Sequence, residues 1–407
     1  MGEILFLTHR VPWPPNRGDK IRSHHFLQKL MDCAPVHVAC FAEDEEEQKL
    51  GWERKAELAS CEIILRTKPR WQGGIEAIFS GKPVSLTCFD SAEIRAYVAH
   101  VIATRPIDCI FVFSGQMAQF IPENFPGRVV MDFADVDSAK FESYADDASG
   151  PMAWINRREG RLLRTFEKDI AEQAYHSLFV SKAEARLFRQ RSGLADDRVK
   201  AVGNGIDLEF YGAPDVQTEG LEQSGPMILF TGQMDYQPNV QAVESFSQQV
   251  MPAILARFPE ARFAIVGRSP TDKVMQLDGK NGTVVVGAVD DIRSWIMAAD
   301  VVVAPLRIAR GVQNKVLEAM AMGKPVVASQ CAAEGIDAIN GEHFLIAESV
   351  DDEAQLTCEL LQDSERAERL GEQAKQLIHT QYSWARQLIG LPALCGFSEP
   401  AVAEAAE

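Results

Sequence analysis

The chain has 407 residues, 46% of them hydrophobic, and a formal net charge of −17. At roughly 100–200 residues per domain, that length predicts two or three domains with substantial cores, and the composition excludes general disorder. The acidic balance argues against wholesale wrapping of nucleic acid, and no run approaches the ~18 consecutive apolar residues of a membrane span.

The first residues, MGEILFLTHRVP, lack the cationic start and longer apolar run of a signal peptide, so the expected compartment is the cytoplasm. Eight cysteines are scattered without a CxxC pair or a Cys/His cluster. They read as small buried residues rather than disulfides or zinc ligands. The acidic runs EDEEEQ and EPAVAEAAE read as solvated segments.

EILFLT (3–8), VHVACF (36–41), CEIILR (61–66), DCIFVF (108–113) and RVVMDF (128–133) read as strands, most of them separated by stretches of helical spacing. A long helix is expected from Trp154, with Leu162, Phe166, Ile170 and Ala174 facing the core. SLFVS (177–181) reads as a further strand. After VKAVGNGID the pattern restarts with MILFTG (227–232), ARFAIVG (261–267), TVVVGAV (283–289), DVVVAPL (300–306) and KPVVAS (324–329). Near-continuous Val/Ile runs imply strands buried on both faces, hence parallel sheets. Two such α/β sets imply two doubly wound domains, with a hinge near 195–202 or 208–226. Ligands of such sheets bind beyond the carboxyl ends of the strands, so the loops that follow strands are the candidate sites.

Four loops stand out. THRVPWPPNRGDKIRSHHF leaves the first strand; Gly18 allows close backbone approach, Asp19 suits a helix cap, and Arg17, Lys20 and Arg22 add positive charge. VVMDFADVDSAKF places Asp132, Asp135 and Asp137 at a strand's carboxyl end, where a catalytic carboxylate would project. There Asp137 or Ser138 could instead cap a helix, and the DVD triplet invites a metal reading that is disfavoured. VGNGIDLEF reads as a tight interdomain turn. RIARGVQNKVLEAMAMGKPVV gathers Arg307, Arg310 and Lys315 around Gly311 at a helix start, which suits a diphosphate. One turn on, Glu318 interrupts an apolar run. A buried acid needs a partner, either an adjacent pair of ribose hydroxyls or an internal Arg or Lys. The helix WINRREGRLLRTFEK (154–168) carries Trp154 with Arg157, Arg158, Arg161 and Arg164, an arrangement that could touch anionic lipid, although its apolar stripe is more simply core.

These motifs resemble the retaining glycosyltransferases of family GT4, over nearly the whole chain. LEAMAMGKPVVAS is similar to the family's helix-turn-strand, NGIDLEF to its linker, ILFTGQMDYQPN with FAIVG to the start of its donor-binding domain, and YSW to its tail helix. VPWPPNRGDKIRS, DVDS, MDYQPN and LRIARGVQNKVLEAMAMG look like a bacterial subgroup of sugar transferases associated with PEP-CTERM and exopolysaccharide systems. The resemblance implies the GT-B fold, α/β, with two Rossmann-like domains facing each other across a cleft. It implies an acceptor-side domain at 1–198, a nucleotide-sugar domain at 199–378, and a helix with acidic tail at 379–407 returning to the first domain.

The resemblance implies transfer of a sugar from a nucleoside-diphosphate sugar to a growing exopolysaccharide or lipid-linked glycan, with retention, without metal, cofactor or nucleic acid, in the cytoplasm or on the inner membrane face. Glu318 matches the second glutamate of the family's E-x7-E motif and would hold the ribose. Val312, Gln313, Asn314 and Lys315 match the loop near the diphosphate, and Gly18 matches the first-domain glycine that abuts it. The motif's first glutamate is replaced by Arg310. Gln233 and Pro238 stand where many members carry phosphate-binding Arg and Lys; Arg307, Arg310 or Lys315 are the candidates to supply that charge. The family's cleft histidine has no counterpart in VVMDFADVDS, so Asp135, or else Asp132, is the candidate for that place. A nucleotide-sugar epimerase of the same fold and a non-catalytic nucleotide-sugar binder are the alternatives.

Overall fold

The computed structural model describes residues 2–212, 216, 218, 221, 225–309 and 312–398. The chain divides into two compact units, Met1–Val202 with Leu388–Glu407, and Gly203–Gln387. The chain leaves the second unit only after 387 because helix Ser364–Gln381 runs on past 378, and Ser383 then bridges to Ile206.

The first unit holds β1 (Glu3–Thr8), β2 (Val36–Ala42), β3 (Ser60–Leu65), β4 (Ile107–Phe113), β5 (Arg128–Ala134), β6 (His176–Phe179) and β7 (Val199–Ala201). They form one parallel sheet in the order β3-β2-β1-β4-β5-β6-β7. The second unit holds β8 (Met227–Thr231), β9 (Arg262–Val266), β10 (Thr283–Gly287), β11 (Val301–Ala304), β12 (Val326–Ser329) and β13 (Leu345–Ala347), parallel in the order β10-β9-β8-β11-β12-β13. In both sheets the order reverses between the first strand and the fourth, which marks the switch point of a doubly wound fold. β1, β2 and β8 are buried along their whole length, as covering both faces of a parallel sheet requires. The edge strands β7 and β13, three residues each, are too short to leave a hydrophobic signature.

The long helix begins at Gly150 and ends at Gln173, and its buried line departs from the expected stripe. Ala153, Gly160, Leu163 and Ala171 are buried, while Leu162, Phe166 and Ile170 are only partly covered. Two glutamates share the buried line because each caps another helix. Glu159 accepts from the amides of Val84 at 2.8 Å and Ser85 at 2.9 Å. Glu167 accepts from the amide of Ser138 at 2.8 Å and from its hydroxyl at 2.6 Å. Helix Asp137–Asp147 is therefore capped neither by Asp137 nor by Ser138. Glu167 and Glu184, the latter accepting from the Val136 amide at 2.8 Å, serve its amino end from neighbouring helices, where the exposed amides favour negative charge.

Burial pushes the Glu167 carboxyl up to about 7 from an ordinary 4.5, against the opposing pull of its Ser138 bonds. A folded-state pKa above the unfolded one contributes stability at low pH that is lost as pH rises through the folded value. Between pH 4.5 and 7 the wild type should lose roughly 1–3 kcal/mol relative to Glu167→Gln in urea titrations. Parallel pH profiles would show instead that the carboxyl stays ionised throughout.

Candidate functional site

In the second unit, chemistry gathers at the carboxyl ends of β8 and β11. Gly232 follows β8. A Cβ there would lie 2.8 Å from Asn239 Nδ2 and 3.1 Å from Lys315 Nζ, so no side chain fits. Lys315 comes from helix Asn314–Ala321, which follows β11, and so reaches across the switch point. Its ammonium donates to Asn239 Oδ1 at 2.7 Å and lies 4.1 Å from the centre of the Phe230 ring. Asn239 in turn donates to the Gln233 carbonyl at 2.9 Å. Burial pulls the Lys315 amine down to about 7, against the favourable charge of Glu318. An amine so placed takes up a proton, and full positive charge, when an anion arrives.

Glu318 lies one turn further along. Val316, Leu317, Ala319 and Met320 around it are buried in the core of the unit. Burial raises the Glu318 carboxyl, while a hydrogen bond to Tyr211 and the charge of Lys315 oppose the rise. The Tyr211 phenol is itself raised, by burial and then by the negative charge of Glu318. The partner that the sequence demanded for this acid is therefore a tyrosine from helix Leu208–Gly212, just beyond the NGIDLEF motif. At the start of Asn314–Ala321, the amides of Val316 and Leu317 donate to the Gln313 carbonyl at 3.0 and 3.4 Å. Asn314 Oδ1 accepts from Asn204 Nδ2 at 3.4 Å, and Val312 packs on the core.

Arg307 leaves this group: its guanidinium lies 3.0 Å from Glu353 Oε1 on helix Val350–Gln362, an acid only 1% exposed. A buried carboxylate demands a cation more strongly than a solvated loop does. Arg310 and Gly311 lie outside the described residues.

In the first unit, Gly18 opens helix Gly18–Met31, and a Cβ there would meet nothing within 4 Å. The basic residues around it are held by local acids. Asp19 receives Arg10 Nε at 2.9 Å, Arg17 Nε at 3.1 Å and His9 Nε2 at 3.3 Å. Burial works against its ionisation, but the His9 bond and the charges of His9, Arg10 and Arg17 hold its carboxyl well below the usual range. Glu43 pairs with Arg10 and Arg17, and Glu47 with Lys20. The acidic run 43–48, expected as a solvated segment, instead caps and opens helix Glu45–Glu53 and clamps this loop. Arg22 reaches Asp132 with Nε–Oδ2 2.8 Å and Nη2–Oδ1 3.0 Å, both side chains being buried. That corrects the expectation for Asp132, which is a structural ion-pair partner at 0% exposure and cannot project from the strand end.

Asp135 remains partly exposed just beyond β5. Ala134 before it has φ +62°, and Ser114 after the adjacent β4 has φ +76°. Non-glycine residues in this region store strain that tends to gather at functional sites. His9, at the carboxyl end of β1, stacks on Phe113 with ring centres 5.6 Å apart, and burial lowers its pKa. Its Nδ1 has no hydrogen-bond partner among the described residues. Sequence reasoning sought a histidine after β5 and passed over this one. Among the described residues, no group of three or more His, Cys, Asp or Glu could hold a metal ion.

Residues 225–363 match the family model described as glycosyl transferases group 1. The matched segment lies wholly within the second unit. Gly232, Asn239, Lys315 and Glu318 all lie inside the matched segment, whereas Asn204 and Tyr211 precede it. A phosphatidyl-myo-inositol mannosyltransferase from Mycobacterium tuberculosis is 32% identical over 203 residues, 45% of this chain and 52% of that protein. The chain thus spans about half the length of this curated relative. Among solved structures, sucrose-phosphate synthase from Thermosynechococcus elongatus gives a TM-score of 0.71 at 19% identity, covering 97% of this chain and 98% of that one. Anabaena HepE in complex with UDP and glucose gives 0.68 at 15% identity, covering 97% and 99%. At such identities the likeness shows the fold, two parallel-sheet Rossmann-like domains of the GT-B type.

The Arg22–Asp132 pair yields a direct test. Asp132→Ala strands a buried guanidinium and should cost about 3–5 kcal/mol in denaturant unfolding. Asp135→Ala, at a half-open position, should change stability by less than about 1 kcal/mol. Equal losses would show that Asp132 is not the buried partner described.

Proposed function

We propose that the protein transfers a sugar from a nucleoside-diphosphate sugar, bound by the second unit, to a glycan acceptor served by the first. One observation carries the reading. Lys315 and Glu318 stand one turn apart on a helix start inside a group 1 glycosyl transferase segment, the first beside the glycine that ends β8 and the second beside Tyr211. The lysine and the helix amides suit a diphosphate, and the carboxylate suits the paired hydroxyls of a ribose. Lys315 stands in for the charge missing at Gln233 and Pro238. Arg310 is a second candidate for it; Arg307 is not, because Glu353 holds it.

As the glycosidic bond breaks, charge develops on the leaving diphosphate, and preorganised donors stabilise it there. By resemblance to the retaining relatives, the acceptor hydroxyl attacks from the face the diphosphate leaves, and the departing phosphate oxygen takes its proton. Asp135 is the remaining candidate carboxylate to orient the sugar or stabilise positive charge at the anomeric carbon. One relative favours transfer over epimerisation: it is named a phosphatidyl-myo-inositol mannosyltransferase. A lipid-bearing acceptor, such as a lipid-linked glycan or growing exopolysaccharide, fits that name. It would bring the protein to the inner face of a membrane.

Thermal shift against nucleoside diphosphates and their sugars tests the donor site. A nucleotide at 100 times its dissociation constant should add about 2.7 kcal/mol to wild-type stability, and most of that gain should vanish in Glu318→Ala. Lys315→Met should also weaken binding. No stabilisation by any nucleotide would sink the donor site as drawn. The reading calls for no metal, since Lys315 and the helix amides would face the diphosphate, with Arg310 as a second cation. Turnover should survive chelator, and loss of activity restored by magnesium would overturn that part.

A further inference from the structure

Three adjacent strands of the first unit carry a line of polar side chains at their amino ends, opposite the ends where a doubly wound sheet takes its ligands. His37 on β2 is in register with Leu5 on β1 and with Ser60 on β3. Glu3 lies two residues before Leu5, so Glu3, His37 and Ser60 share one face of the sheet. The Glu3 carboxylate lies 2.7 Å from His37 Nε2, and His37 Nδ1 lies 2.6 Å from Ser60 Oγ. Arg105 donates to both Glu3 oxygens, at 2.8 and 2.6 Å. Tyr97, from helix Ala92–Thr104, brings its hydroxyl to 2.5 Å from Ser60 Oγ.

The protons of this line can be placed. The Arg105 bonds hold the Glu3 carboxyl below its ordinary range, against burial and with help from His37. An ionised Glu3 only accepts, so His37 carries a proton on Nε2. A neutral His37 then keeps its lone pair on Nδ1, where the Ser60 hydroxyl is the donor. Burial raises the Tyr97 phenol well above its ordinary value, against its bond to Ser60, so Tyr97 keeps its proton and donates to Ser60 Oγ. Burial is graded along the same line: Glu3 and His37 are buried, and Ser60 is partly exposed. Satisfying the buried acid needs only Arg105 and His37, yet the line runs on to a hydroxyl that solvent reaches. β3 is an edge strand, and because Ala59 donates to the Val36 carbonyl at 2.9 Å, the next amide, that of Ser60, points away from the sheet.

We propose that Ser60, His37 and Glu3 form a second reactive centre, an acyl-transfer site for small uncharged carboxylic esters. Ser60 Oγ bonds to the acyl carbon while its proton passes to His37 Nδ1. The ester's alcohol then breaks from that carbon and takes the proton from Nδ1. Water repeats both steps on the acyl-serine, which releases the carboxylic acid and returns the proton to Ser60. Glu3 fixes the imidazole's tautomer and meets the charge it gains, as a positioning residue. The Ser60 amide and the Tyr97 hydroxyl are the donors for the oxyanion. Arg105 is spent on Glu3, so it does not recruit an anionic acyl group. The proposal does not rest on the donor-site reading.

The test is p-nitrophenyl acetate on the full chain, with nitrophenol release followed and the acetylated residue located by mass spectrometry. Wild type should carry acetyl on Ser60 and turn over. Ser60→Ala, at a partly exposed position, should keep the melting temperature and lose both. His37→Gln should acetylate Ser60 about 100-fold more slowly, the scale of lost general-base help. Nucleotide stabilisation should be the same in both variants, which separates this centre from the donor site. Absence of acetyl on wild-type Ser60 overturns the proposal. Acetylation of Ser60 at an equal rate in His37→Gln, or in wild type unfolded in urea, overturns it too, because the hydroxyl would then be exposed and nothing more.

Discussion

A carboxylate taken out of water must find a donor, and much of this structure is arranged around that constraint. Glu3 is met by Arg105 and His37, Asp132 by Arg22, Glu353 by Arg307, and Glu318 by Tyr211. Glu159, Glu167 and Glu184 are met by the amides of other segments. Most of these pairs join elements far apart in sequence, so each buried acid fixes how one helix or strand lies on another. The same rule explains which basic residues are left for a ligand. Arg307, Arg22, Arg17 and Lys20 are already committed to acids, and Lys315, whose bond goes to a neutral amide, is not.

The strands were legible wherever four or more apolar residues ran together, and with them the two parallel sheets. The three-residue edges were not, because so short a segment carries no period. That Glu318 needs a partner was legible because an acid inside VLEAMAM contradicts its neighbours. Its partner was not, since nothing local ties Tyr211 to a helix so far downstream. Asp132 shows the opposite failure. It sits where a catalytic carboxylate would, and only a residue 110 positions away reveals that it is engaged. The caps failed similarly: DVDS is a good local cap, but Glu167, 29 positions on, takes the Ser138 amide. Sequence reasoning reads local chemistry and periodicity well, and tertiary competition for the same donor is what defeats it.

The two units use the same strand order for different purposes. At the switch point of the second sheet, a glycine without room for a Cβ clears the end of β8, and a lysine from the element after β11 fills the space. At the corresponding place in the first sheet, a buried histidine leans on the end of β4, and strained residues end β4 and β5. The first arrangement offers positive charge and amides. The second offers a buried imidazole and a carboxylate. That division suits an anionic ligand on one unit and an uncharged polyhydroxylated one on the other.

Holding Lys315 near neutrality has a chemical side effect. An amine with a pKa of about 7 is in large part unprotonated in a neutral solution, and an unprotonated amine is a nucleophile. Ordinary surface lysines, fully charged, are protected from acyl donors and cyanate by their own protons. This one is less so, and the residue as a whole is only partly buried. The burial that readies it to meet an anion therefore also leaves it less protected by its proton than a fully charged surface lysine.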